Sequence, residues 1–140
     1  MVLKSYSKIN LSLSINSKTR SGLHEIQSYF CLINLSDKIR IRKINKKNDQ
    51  IIFNGFFAKH VKKNDNSISN LLKLLRKLKL ISKFYSVTVT KNIPVFGGLG
   101  GGTSNAAFIL KYLFKKKINK RPLAHGLKIL FKNQLIFEYK

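Results

Sequence analysis

Five of the six residues from Gly97 to Gly102 are glycine, and the run stands between two segments of opposite character. Ser86-Val87-Thr88-Val89-Thr90 before it alternates like a strand. Asn105 to Lys117 after it has helical spacing, with a start expected at Thr103 or Ser104. Glycines let consecutive backbone amides turn inward as a nest of N–H donors, and a helix beginning there aims its unpaired amides at the same point. Strand, nest and helix start together predict a phosphate cradle. The alternative is a flexible linker, but linkers do not usually join a strand directly to a capped amphipathic helix. No Gly-Lys-Ser/Thr closes the loop, so it is not a Walker A sequence. The chain is expected to open with a β-meander rather than a βαβ unit, so the loop does not read as a dinucleotide fingerprint.

The chain has 140 residues and is 44% hydrophobic, which predicts one folded domain over 1–140 rather than disorder. A single cysteine, Cys31, excludes a disulfide framework and fits a reducing, cytoplasmic setting; it lies in an apolar run and reads as a buried thiol. Neither a signal-like stretch nor a membrane-spanning one is expected. The formal net charge of +23 invites a nucleic-acid partner. Against that, the cations are 23 Lys and only 5 Arg, spread along the whole chain among 16 Ile and 13 Asn. That is the composition of an A/T-rich genome, poor in the better phosphate fork, so the charge reads chiefly as solvated surface. A polyanion-binding protein stays open as an alternative.

Ile9, Leu11, Leu13 and Ile15 alternate with polar residues and predict a half-buried strand. His24–Leu35 reads as a second strand ended by Asp37, Lys38–Ile44 as a third, and Gln50–Phe57 as a fourth. Asn64-Asp65-Asn66-Ser67 signals a helix start, followed by Ile68, Leu71, Leu72, Leu75 and Leu78 at helical spacing. Phe84–Thr90 is the next strand, and Pro122 opens a third helical run to about Phe131. The order β-β-β-β-α-β-loop-α-α predicts an α+β domain, with an antiparallel or mixed sheet and helices on one face.

Ile93-Pro94-Val95-Phe96-Gly97-Gly98-Leu99-Gly100-Gly101-Gly102-Thr103-Ser104-Asn105-Ala106-Ala107 resembles the second motif of the GHMP kinases. Ser7-Lys8-Ile9-Asn10-Leu11-Ser12-Leu13, Gly22-Leu23-His24-Glu25-Ile26 and Asn64-Asp65-Asn66-Ser67-Ile68 resemble three further segments of the family, in order. The resemblance implies the family's N-terminal, ATP-binding domain. It also implies transfer of a phosphoryl group from ATP, with Mg²⁺, to the 2-hydroxyl of 4-diphosphocytidyl-2-C-methyl-D-erythritol in non-mevalonate isoprenoid precursor synthesis.

Lys8 matches the catalytic lysine, which would polarise the attacking hydroxyl. Pro94, Val95, Phe96, Gly97, Gly98, Leu99, Gly100, Gly101, Gly102, Thr103 and Ser104 match the nucleotide loop, with Ser104 a candidate Mg²⁺ contact. Asn10 and His24 match positions at the cytidine end of the substrate, and Asn66 the start of the adenine-side helix. Read alone, Lys8 is a solvated strand lysine, His24 a turn histidine and Asn66 a plain N-cap.

Some residues depart from the family pattern. Leu23 stands where a stacking tyrosine is expected, and Phe96 where a small residue is. The family's catalytic aspartate has Asn133 as its best counterpart, and an amide cannot accept the proton. The second, closing domain is not part of the 140 residues. The expectation is therefore a truncated or degenerate kinase, with a nucleotide-binding module that pairs with a separate C-terminal half as the alternative.

Overall fold

A computed structural model describes residues 2–18 and 24–114. Its strands are β1 (Val2–Lys18), β2 (His24–Ile44), β3 (Gln50–Asn54) and β4 (Phe84–Thr90). The helices are α1 (Ser67–Lys77) and α2 (Gly101–Leu113), and a 3₁₀ turn spans Ala58–His60. The four strands form one sheet in the order β1-β2-β4-β3. β1 pairs antiparallel with β2, β2 antiparallel with β4, and β3 parallel with β4. A parallel pair needs a crossover, and α1 supplies it between β3 and β4. The fold is thus the expected α+β class with a mixed sheet. The helical run expected from Pro122 lies outside the described residues.

At the base of the sheet, Ile39 pairs with Val89 and Ile41 with Val87, so the four side chains share a face. They pack with Leu71, Leu72 and Leu75 of α1 and Ala106 and Ile109 of α2 in one core, both helices lying on that face. α1 buries its leucines at helical spacing and keeps Lys73 and Lys77 in water. Asn66 caps it as expected: its side-chain oxygen accepts from the amides of Ile68 (3.1 Å) and Ser69 (3.0 Å), and the Ser69 hydroxyl accepts from the Asn66 amide.

The second and third expected strands are one. β2 runs through Asp37, which is wholly buried. A charge inside an apolar run normally marks a strand end. Here the carboxylate is matched by an ion pair to Lys91 and by hydrogen bonds, so the strand has no reason to stop.

Beyond the base, β1 and β2 continue as a two-stranded arm. β1 inserts Leu11 and Asn16 as bulges while β2 continues unbroken opposite them. A one-residue bulge moves the following side chains to the other face. Ile9 therefore pairs with Cys31 on one face, whereas Leu13 and Ile15 pair with Ser28 and Ile26 on the other. The expected half-buried stripe is not formed: Leu11 is 69% exposed and Ile15 63%. Cys31, expected to be buried, is half-buried.

Candidate active site at the start of the second helix

α2 begins earlier than its sequence suggests, inside the glycine run. Gly100 is its N-cap, held at φ 69° in the left-handed region that a side chain disfavours. The next two glycines are helical and closely packed, Gly101 too closely for a side chain. A Cβ on Gly101 would come within 2.9 Å of Ile93 Cγ2, and one on Gly102 within 3.2 Å of Ser67 Oγ. Ser67 is the first residue of α1, so the first turns of the two helices touch. Neither first turn contains an acidic residue. Two positive helix ends therefore converge, that of α2 with no acid in its first turn and that of α1 with Asp65 just before its cap, bonded to Asn70 (2.9 Å). The α2 end favours a bound anion.

β1 supplies the cation. The Lys8 amide donates to the Leu99 carbonyl at 3.1 Å, so the loop backbone lies along the edge of β1. The Lys8 stem packs on Gly100: a Cβ there would meet Lys8 Cε at 3.3 Å and Cγ at 3.4 Å. The ammonium lies 5.4 Å from the centre of the Phe30 ring, within cation–π reach. Burial holds the Lys8 pKa below its usual 10.5. Lys8 is thus packed against the start of α2 rather than extended into solvent.

The hydroxyls of the loop differ. Ser104 Oγ donates to the Tyr6 carbonyl (2.8 Å) and accepts from Ser5 Oγ (2.9 Å), which ties α2 to β1. Thr103 Oγ1 is buried in the first turn with no partner among the described residues. An orphaned hydroxyl beside unpaired helix amides fits a phosphate oxygen. Pro94 and Val95 are half-buried at the entrance, and Phe96 to Gly98 form the exposed crest. Phe96 is 92% exposed at φ 67°, a left-handed conformation that a bulky side chain disfavours.

The substrate-side candidates lie along the arm. Residues directly paired across an antiparallel ladder share a face, and alternate residues of one strand share it too. Lys8 pairs with Leu32, Asn10 with Phe30 and Lys18 with His24. Lys8, Asn10 and His24 therefore occupy one face, with Ile26, Phe30 and Leu32 between them. Asn10 is next to Lys8 on that face. His24 is at the far end, eight residues from Leu32, or roughly 25 Å at about 3.3 Å per residue. The bulge at Leu11 puts Leu13 and Ile15 in phase with this face, and the bulge at Asn16 does the same for Lys18, which a strict alternation from Ile15 would not. Leu23 and Asn133 lie outside the described residues.

Asn66 is committed to its cap, since its amide nitrogen also donates to the carbonyls of Lys62 and Lys63. Sequence reading missed Asp37. Its one signal is an acid among only five in the chain, standing in phase with the alternating Leu35, Ile39 and Ile41. Among the described residues, no group of three His, Cys, Asp or Glu side chains could hold a metal, and no helix is long and apolar enough to cross a membrane.

The model of the GHMP kinases N terminal domain matches residues 66–133. The chain is 44% identical over 119 residues to a 4-diphosphocytidyl-2-C-methyl-D-erythritol kinase of Pelagibacter ubique, covering 84% of this chain and 42% of that protein. It is 32% identical over 133 residues to the enzyme of that name from Ureaplasma parvum, covering 91% of this chain and 50% of that one. The chain thus spans half or less of these relatives' length. A crystal structure of 4-(cytidine 5'-diphospho)-2C-methyl-D-erythritol kinase shares the fold with a TM-score of 0.64 at 24% identity, over 94% of this chain and 48% of the other. The solved structure shows a shared fold, and the sequence matches show that the chain belongs to the GHMP kinase family.

Proposed function

We propose that this domain binds ATP at the start of α2, as the nucleotide-binding half of a kinase that phosphorylates the 2-hydroxyl of 4-diphosphocytidyl-2-C-methyl-D-erythritol. The observation that carries the reading is the junction itself. Two helix N-termini meet beside the glycine loop, that of α2 with no acid in its first turn, and the Lys8 stem lies against the α2 N-cap. Bound ATP, accompanied by Mg²⁺, would supply the phosphoryl group. The amides of residues 101–103 and the Thr103 hydroxyl would hold its phosphates, with Pro94 to Gly100 as the surrounding loop. Mg²⁺ enters with the phosphates on this reading. Ser104 keeps one lone pair for it while holding α2 to β1.

Lys8 would face the transferring group and offset charge as it develops. Its lowered pKa reflects the cost of a half-buried ammonium, which a phosphate beside it would remove. Asn10 and His24 share the Lys8 face, so an elongated substrate would lie along the arm with its cytidine end toward His24. Its reacting hydroxyl would then sit near Lys8. Ile26, Phe30 and Leu32 give that face an apolar floor for a sugar or base. Phosphoryl transfer needs water excluded from this face, so turnover depends on the face being covered.

Calorimetry with Mg²⁺–ADP tests the binding step. Micromolar-to-millimolar affinity is expected, lost by more than tenfold in Gly101→Val, whose side chain collides with Ile93. Absence of saturable binding by the unsubstituted chain removes the reading. A coupled assay with the cytidyl substrate, alone and with the C-terminal half of a relative, then tests transfer.

A further inference from the structure

Asp37 makes four hydrogen bonds while being wholly inaccessible to solvent. Oδ1 accepts from the backbone amides of Asn92 (2.8 Å) and Ile93 (2.9 Å), the last two residues before Pro94. Oδ2 accepts from the Lys91 ammonium and from Asn105 Nδ2 (2.8 Å). One carboxylate thus fastens the entry of the glycine loop and the second turn of the helix that leaves it. Between those ties lie five glycines, the residues with most conformational freedom to lose on ordering. Lys91 reaches further: its ammonium is 3.3 Å from where a Cβ on Gly101 would stand, under the first turn of α2. Ile93, held by the same carboxylate, is the residue against which Gly101 packs.

We propose that Asp37 is a positioning residue for the phosphate-binding loop. It never touches a ligand, and it closes the two ends of the loop at a fixed separation so that the amides of residues 101–103 already converge before an anion arrives. The inference rests on the nucleotide reading for the identity of the anion, not for the clamp. Removing a tie releases the loop ends, and the binding step must then order them, which weakens affinity. The β2–β4 ladder, held by its own pairing and by the helices, keeps its stability.

Asn105→Ala is the gentlest test, because it cuts the exit tie and leaves the buried ion pair intact. The double variant Asp37→Asn/Lys91→Gln removes both charges together and so avoids an unpaired one. Ile109→Val trims the same helix in the core without touching Asp37, and serves as the stability-matched control. Amide exchange of the full chain and calorimetry with Mg²⁺–ADP are the readouts.

In Asn105→Ala, the amides of Lys8, bonded to Leu99, and Ser104, bonded to Gly100, should exchange at least tenfold faster. Those of the β2–β4 ladder should stay within twofold, and ADP affinity should fall about tenfold. The double variant should do the same more strongly, and Ile109→Val should not separate loop from ladder. Unchanged exchange at Lys8 and Ser104 overturns the proposal, as does acceleration of loop and ladder by one common factor. If the unsubstituted chain binds no ADP, the nucleotide reading fails alone, and the exchange pattern still decides the clamp.

Discussion

The two ends of the β1–β2 pair carry the same kind of sequence and meet different fates. At the base, Ile39 and Ile41 alternate with Arg40 and Arg42 and vanish under α1 and α2. Along the arm, Leu13 and Ile15 alternate with Ser12 and Ser14 as regularly, yet both remain more than half exposed. Alternation therefore states which residues share a face and says nothing of whether anything lies over it. The base is held by packing and by one buried charge network. The arm is held by its ladder and leaves its apolar side chains exposed.

The sharpest way to break that contrast is to trim each end. Leu72→Ala in the core should cost 2–5 kcal/mol (order of magnitude) by urea unfolding, as for other buried leucines. Losing the α1 cap should cost less: Asn66→Ala, which forfeits two amide bonds, should lower stability by about 1 kcal/mol.

Lys8, at the boundary between base and arm, should reveal itself through pH. Its native pKa is lowered by burial, so between that value and 10.5 the unfolded chain holds more protons than the folded one. Stability contributed by this group therefore rises with pH through that window and is flat below it. Lys8→Met should remove the rise in thermal midpoint there, and an identical pH profile in the variant would dissociate Lys8 from the junction.

The smallest effect belongs to the arm: Leu13→Ser should change stability by no more than about 0.5 kcal/mol. A loss matching Leu72→Ala would mean the arm face is packed in solution and the contrast is false.

The parts legible in the sequence were those fixed by neighbours in the chain. Asn66 announces a capped helix because its partners are two and three residues away. Phe84–Thr90 has the bounds expected of it, and the glycine run leads straight into a helix. What stayed hidden depends on residues distant in sequence. Asp37 looks like a strand end until Lys91 and Asn105, 54 and 68 positions on, are seen to surround it. The bulge at Leu11 follows from the pairing of β1 with β2 and leaves no mark in β1 alone. For the site, the motif placed Lys8 and the loop together, and the fold added their reason: a backbone bond from Lys8 to Leu99 and a stem lying on Gly100.

That bond from the Lys8 amide to Leu99 bears on how the chain behaves among its own copies. β1 is an outer strand of the sheet, and an outer strand offers unpaired amides to any other strand that meets it. The glycine loop occupies one of those amides with its own carbonyl, so the segment that would grip phosphate also shields an edge against self-association. Substitutions that lift the loop should therefore first appear as oligomers in light scattering, at temperatures where the helices are still intact.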